Sequence, residues 1–329
     1  MASIGFVCPA CKRDLECDDA AYWCVACSRH YPVLFGIADF RLRSDRYLDL
    51  DEERAKARRL HEFAQNASFD ELLAYYYSIT DDVPDALVQR YVAYADTAPE
   101  RGAAIIATFE SVSQSACLLD AGCGTGGLLL AAARHFDNLV GVDIALRWLV
   151  ICRRRLAEHG VEATLVCADV ENLPFADGSF SHVVAADLVE HVLDTENALA
   201  RIARQLKSTG VLWLSATNKY CLGPHPLVRI WAVGYLPKPL RKRLVTLVRG
   251  VDSLRYVKLV SPQSIAASCR THGLAVLRIE PLRVAVPLDA YPLLDRLLIS
   301  IYRAAYAFRI LRYVLVLIGP AFEIHCRKQ

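Results

Sequence analysis

The sequence has no excess of either charge. Its 38 Lys and Arg nearly cancel its 36 Asp and Glu, leaving +2 over 329 residues. That balance excludes a global electrostatic pull on nucleic acid and leaves only local patches for such a role. A helix that crosses a membrane needs about 20 apolar residues. The longest strongly apolar stretch here is YVLVLIGPAF, residues 313–322, so no transmembrane segment is expected. The opening MASIGFVCPACKRD lacks a basic segment followed by an apolar one, which predicts no secretory signal. Internal repeats and low-complexity tracts are missing too. What remains is globular composition, 54% hydrophobic and 22% charged, with length for one large domain or two smaller ones. Twelve cysteines without a signal point to a reducing, cytoplasmic setting and to thiols, some of them metal ligands.

Four regions differ in texture. Residues 1–45 are rich in cysteine and read as short strands. Residues 46–115 are charged, then rich in tyrosine, and helical in pattern. Residues 116–222 alternate β-branched runs with amphipathic segments. Residues 223–329 open with a basic, proline-rich segment and end in apolar helical sequence. In the third region ACLLD, NLVGVD, ATLVCAD, FSHVVAAD and VLWLSATN read as five strands. GLLLAAARHF, IALRWLVICRRRLAEHG (stopped by Gly160) and TENALARIARQLKSTG read as helices between them. Strands alternating with helices imply an α/β fold with a parallel, doubly wound sheet. Ligands sit at the carboxyl ends of such strands, where Asp120, Asp143, Asp169 and Asp187 all fall.

CLLDAGCGTGGLLLAAA, residues 117–133, holds Gly122, Gly124 and Gly127 in G-x-G-x-x-G spacing, and Gly122, Gly124 and Gly126 in G-x-G-x-G spacing. Either pattern keeps side chains away from a ligand lying against the backbone between strand and helix. Asp143 fits both, because an acid at the end of the next strand can accept from ribose hydroxyls. Three features favour a cationic ligand over a dinucleotide. Asp120, just before the turn, would repel a pyrophosphate. The third strand ends in Asp169, followed by VENLPFADGSFSHVVAAD. The sheet begins near residue 116, whereas a dehydrogenase nucleotide domain more often opens its chain.

LLDAGCGTG, GVD, ADVENLPFADGSFSHVVAADLVEHV and ALARIARQLKSTGVLWLSATN, in that order over residues 116–218, resemble the motifs of a class I S-adenosylmethionine-dependent methyltransferase. LPFADGSF and EHV are similar to the quinone-biosynthesis O-methyltransferases. The resemblance implies a seven-stranded Rossmann-like sheet and S-adenosyl-L-methionine as cofactor. It implies that Asp120 and the backbone of Gly122, Gly124 and Gly126 hold the methionine part and that Asp143 takes the ribose. Asp169 would accept from the adenine amino group, with Val170 packing on the ring, and Asp187 and Leu188 would line the site between cofactor and substrate. The alternative for Asp143 and Asp169 is that they cap the helices after their strands.

DLVEHVLD places Glu190 and His191 after the fourth strand. His191 is the candidate base for an acceptor hydroxyl, with Glu190 beside it as a second catalytic candidate. The alternative is that His191 only shapes the pocket. A metal held by these two is weaker, since two ligands do not make a site.

In the head, Cys8, Cys11, Cys24 and Cys27 form C-x2-C-x12-C-x2-C. Two such knuckles can surround a structural zinc at about 2.3 Å; two disulfides or four free thiols are the alternatives, and Cys17, off the pattern, reads as a free thiol. With RHYPVLFGIADF after it, the head resembles the Trm112-like zinc ribbon, which occurs alone as a methyltransferase partner and fused ahead of bacterial methyltransferases. A ribosomal-RNA guanine methyltransferase family also has a zinc head, which makes RNA the rival acceptor.

Residues 229–258 hold eight basic residues and one acid, Asp252, with Trp231, Tyr235 and Tyr256 among them. LAVLRIEP and AFEIHCRKQ resemble the sixth and seventh strands, the last antiparallel. Between them lies apolar helical sequence with Arg296, Arg303, Arg309 and Arg312 interspersed. It reads either as a membrane-surface element or as a helix packed on the core or in a homo-oligomer interface. The expected organisation is a zinc ribbon over 1–45, a helical linker or cap over 46–115, and a methyltransferase domain over 116–329 with substrate-binding insertions at about 219–260 and 287–320. The expected activity is methyl transfer to a small-molecule or lipid-linked acceptor at a hydroxyl, in the cytoplasm or peripherally at a membrane surface. RNA methylation, a non-catalytic cofactor-binding partner subunit and, more distantly, a dehydrogenase are the alternatives.

Overall fold

Capping residues mark where the first two helices of this chain begin. Asp49 with Glu52, and Ser68 with Glu71, form reciprocal capping boxes at the starts of α1 (Leu50–Ala64) and α2 (Phe69–Ser78). The structure is a computed structural model and describes residues 4–80, 83, 85–109, 112, 116–284 and 293–329. The chain forms two compact units, Met1–Val183 and Val184–Gln329.

The first unit opens with four short strands, β1 (Glu16–Cys17), β2 (Ala21–Cys24), β3 (Arg29–Leu34) and β4 (Ile37–Asp39). After α1 and α2 come α3 (Asp85–Asp96) and α4 (Ala98–Ile106). Then β5 (Cys117–Ala121), α5 (Gly127–Ala132), β6 (Asn138–Asp143), α6 (Leu146–Glu158), β7 (Thr164–Cys167) and β8 (Phe180–Ala185) alternate; the boundary between the units falls inside β8. The strand order in this unit is β1-β2-β3-β4-β7-β6-β5-β8. β5, β6 and β7 run parallel. Every residue of β5 is buried, as expected of a strand covered on both faces. The cysteine-rich head is built into this sheet: β4 adds to β7 in parallel, with Ala38 opposite Val166 and Asp39 opposite Cys167. The region 46–115 holds α1 to α4, joined by short turns; residues 81, 82, 84, 110, 111 and 113–115 lie outside the described residues.

The second unit contains α7 (Thr195–Gln205), β9 (Leu206–Thr217), α8 (Lys238–Arg249), α9 (Pro262–Thr271), β10 (Leu274–Pro281), α10 (Leu293–Ala307), α11 (Arg309–Ile318) and β11 (Ala321–Lys328). β11 lies antiparallel between β9 and β10, as expected of the seventh strand. The seven strands read from the sequence are all present, four beginning in the first unit and three in the second. One boundary moves. The helix expected to run to Gly210 ends at Gln205, and LKSTG opens β9. Leu206 is fully buried, and Gly210 is no helix cap: a Cβ there would lie 2.9 Å from the Lys207 carbonyl oxygen, in a bend at the strand's start. Of the expected insertion at 287–320, residues 287–292 lie outside the described residues.

Candidate functional site

In the first unit β5 delivers Asp120 and Ala121 to a turn that enters α5. Gly122, Gly124 and Gly126 there have φ of +82°, +48° and +77°, values costly for any residue with a Cβ. Gly126 and Gly124 serve different ends. A Cβ on Gly126 would come within 2.5 Å of the Cys152 sulfur of α6, so that glycine is set by packing; a Cβ on Gly124 would meet nothing within 4 Å. The turn is therefore held tightly behind and open at Gly124, where a ligand can lie against the backbone. Val142 O accepts from the Gly122 and Cys123 amides at 2.8 and 3.0 Å. Asp143 completes the brace: Oδ2 accepts from the Gly124 amide at 3.0 Å and Oδ1 from the Ala145 amide at 2.8 Å. Each oxygen keeps a further lone pair for a ligand hydroxyl.

The electrostatics of this cradle favour a cation. Asp120 is 3% exposed; burial first, and then the Asp143 charge, push its carboxyl up to about 8. Burial also raises Asp143, against the two amides that it accepts. A positive group placed beside two such carboxyls lets them ionise.

Asp169 takes the capping role weighed from the sequence. Its Oδ1 accepts from the Glu171 amide at 3.0 Å, capping the short turn Val170–Asn172, with Val170 buried. Its Oδ2 lies 2.6 Å from an Arg43 nitrogen, and Arg43 also reaches Glu171 at 2.9 Å. Burial raises the Asp169 carboxyl even so.

More charges brace the start of α6. Arg41 makes two 2.8 Å bonds to Asp39 and donates to the Ile144 carbonyl at 3.2 Å. Arg147 pairs with Asp45 at 2.6 Å and with Glu53, and Glu53 also accepts from the Arg147 amide at 3.0 Å. Both Arg147 and Glu53 are buried, so removing Arg147 would strand the Glu53 charge at a cost of about 3–5 kcal/mol, whereas Arg147 without Glu53 keeps Asp45. None of these residues was a candidate from the sequence. The one signal was an arginine inside the apolar run LRWLVIC.

In the second unit the loop after β8 carries Asp187, at φ +50°, a left-handed conformation that Asp tolerates. Its amide donates to Ser215 O at 3.1 Å, and the Ser215 hydroxyl donates to Asp187 Oδ1 at 2.9 Å. Glu190 is fully buried; Oε1 accepts from the Thr217 amide at 2.9 Å, and Oε2 finds no hydrogen-bond partner among the described residues. Burial first and the Asp187 charge second push Glu190 up to about 8. His191 is half-buried, and its amide donates to Leu188 O at 2.8 Å. Of the two catalytic candidates only His191 keeps accessible surface. His225 was missed. It is fully buried with Nε2 unpartnered among the described residues, and burial, then Arg241, lower it to about 4. Its only sequence signal was a histidine between two prolines in GPHP.

In the head, the sulfurs of Cys8, Cys11, Cys24 and Cys27 all lie within 4.8 Å of one another, with Cys8–Cys27 at 3.6 Å and Cys11–Cys24 at 3.4 Å. No cysteine is disulfide-bonded in the structure, and Cys17 lies exposed, apart from the cluster. Thiolates around a zinc at about 2.3 Å would stand roughly 3.8 Å apart, which the cluster can meet with small adjustments. Each knuckle is followed by a left-handed residue, Lys12 (φ +62°) and Ser28 (φ +52°), that turns the chain back. The Tyr31 hydroxyl stands 3.2 Å from Cys8 Sγ.

Residues 119–214 match a family model described as a methyltransferase domain. The chain is 30% identical over 158 residues to a ubiquinone biosynthesis O-methyltransferase of Bordetella avium (strain 197N), covering 48% of this chain and 61% of that protein. It is 30% identical over 166 residues to the protein of the same name from Paracidovorax citrulli (strain AAC00-1), covering 49% and 64%. The chain thus spans about three fifths of the length of these relatives. A solved structure of geranyl diphosphate C-methyltransferase from Streptomyces coelicolor A3(2) aligns with a TM-score of 0.50 at 14% identity, over 80% of this chain and 100% of that one. At that identity the shared feature is the fold.

Proposed function

We propose that this chain, whose residues 119–214 form a class I S-adenosylmethionine-dependent methyltransferase domain, methylates a hydroxyl of a small-molecule or lipid-linked acceptor. The observation that carries the reading is the glycine turn: open at Gly124, tied to Asp143, and set beside the buried Asp120, whose carboxyl is raised by burial.

When bound, S-adenosylmethionine supplies a methyl group on a positively charged sulfur. The backbone of Gly122, Gly124 and Gly126 and the Asp120 carboxylate hold the amino-acid end. Asp143 takes the ribose hydroxyls, and Asp169 with Val170 takes the adenine. Transfer is an in-line displacement, so much of the rate comes from alignment. Asp187 and Leu188 line the acceptor side. His191 would take the proton of the acceptor hydroxyl as its oxygen gains the methyl group and the methyl–sulfur bond breaks, the neutral thioether S-adenosylhomocysteine being the leaving group, and Glu190 positions the loop through the Thr217 amide. Cys8, Cys11, Cys24 and Cys27 hold a structural zinc, because four thiolates leave no open position for chemistry. Residues 1–45 serve as zinc ribbon, 46–115 as helical cap and 116–329 as the catalytic part with its acceptor-selecting insertions. The O-methyltransferase names of the relatives support the hydroxyl.

The test is incubation with isotope-labelled S-adenosylmethionine and cell extract, followed by mass spectrometry. Label is expected in a small or lipid-linked product. Asp143→Ala should weaken cofactor binding by about 1.5–3 kcal/mol, the order of a hydrogen bond to a charged group, and lose label in proportion. Label in RNA instead would move the acceptor to RNA. Calorimetry showing tight NAD binding and none of S-adenosylmethionine would end the methyl-transfer reading.

A further inference from the structure

We propose that the helical pair α10–α11 of the second unit docks on the surface of an anionic lipid bilayer. Leu294, Leu297 and Ile301 stand on α10 at helical spacing and face solvent, with Leu297 and Ile301 each 57% exposed. Ile310, Tyr313 and Leu317 repeat that spacing on α11, where Ile310 is 79% exposed and no residue is buried. Two apolar stripes of helical period at a surface are far from the scattered single residues that a soluble surface tolerates.

The face is well anchored, so its exposure is not that of a loose tail. The Asn218 side chain is fully buried and donates to the Val316 and Leu317 carbonyls, each at 3.1 Å. Arg312 Nε donates to the Tyr306 carbonyl at 2.8 Å, joining the two helices. The Tyr302 hydroxyl donates to Leu282 O at 2.7 Å.

Charge selects the occupant. Residues 293–318 contain four arginines (296, 303, 309 and 312) and a single acid, Asp295, giving a formal charge of 4 − 1 = +3. Asp295 is buried and ion-paired with Arg229, so it does not present its charge at the surface. A second copy docked face to face would bring positive against positive. Nucleic acid would match the charge and waste the aliphatic surface, since unpaired bases stack on aromatic rings. An anionic bilayer interface satisfies both, taking apolar side chains at the acyl boundary and arginines at the headgroups. The helices have 15 and 10 residues, too short to span, and no helix among the described residues is long and apolar enough to cross a membrane. The pair lies on the surface.

The experiment is co-sedimentation of the full chain with vesicles of phosphatidylcholine, with and without phosphatidylglycerol. Pelleting is expected with the anionic vesicles and at least about fivefold less with neutral ones, the effect of roughly one basic residue at such a surface. Arg309→Gln, which removes one positive charge, should cut anionic pelleting by a similar factor. Leu297→Ser/Ile301→Ser/Ile310→Ser should cut it more than tenfold while circular dichroism, Tm and S-adenosylmethionine affinity stay as they were. If that triple variant unfolds, the face is buried in the working protein and the proposal fails. Equal pelleting with both vesicle types, a dimer in light scattering that the triple variant abolishes without vesicle binding, or salt-sensitive RNA binding without pelleting would each overturn it.

Discussion

Asp143 shows how a single acid can brace a turn and still keep acceptors free. Its two oxygens accept from Gly124 and Ala145 amides, and a carboxylate has about four lone pairs, so the brace leaves acceptors to spare. His191 has the opposite economy: a half-buried ring with a function to be tested. His191→Ala should lower turnover by about 10²–10⁴ if the ring takes the acceptor proton, with cofactor affinity nearly unchanged; a loss under tenfold reduces it to a wall of the pocket. The residues legible from sequence were those whose meaning is local. Glycines in a turn, acids at strand ends and paired knuckles are read within a few positions. Arg43 on Asp169, Arg41 beside Ile144, and Glu53 under Arg147 were not, because each partner comes from a distant segment and nothing in its neighbourhood marks it.

At the scale of elements, strand–helix alternation carried the reading because burial imposes a period on every segment. It failed at β9, where Lys207, Ser208 and Thr209 are exposed and Gly210 imitates a helix stop, so a strand's polar start looked like a helix end. It also gave no hint that β4 joins β7, since parallel pairing leaves no local mark. That pairing has a consequence for the metal. The knuckles around Cys8 and Cys24 lead through β2 and β3 into a strand of the main sheet. The purified protein is expected to carry about one zinc per chain, as a four-thiolate site requires. Cys24→Ser should release it and expose the head to protease, because folding of such heads is coupled to the metal. A metal-free protein with a protease-resistant head contradicts the assignment.

For the molecule as a whole, each unit carries one buried acid raised to about 8, Asp120 in the first and Glu190 in the second. In the unfolded chain these groups ionise near 3.8 and 4.5. Between those values and about 8 the folded protein therefore binds more protons than the unfolded one, and their contribution to stability falls as pH rises. His225, lowered to about 4, acts oppositely between 4 and its ordinary 6.5 and is silent above it. Comparison with Asp120→Asn and Glu190→Gln cancels every group that the proteins share. Each variant, neutral at all pH, should gain Tm relative to the parent as pH rises from 5 to 9. A gain of 2–4 °C corresponds to about 1 kcal/mol in domains somewhat smaller than this chain. Saturating S-adenosylmethionine should then separate the two acids. A cation beside Asp120 pays for its ionisation, so the Asp120 difference should flatten and binding should release a proton, seen as buffer-dependent heat in calorimetry. The Glu190 difference should persist. Tm differences that do not change with pH would show that neither acid is held protonated, and a cofactor heat independent of buffer would remove Asp120 from the cation's neighbourhood.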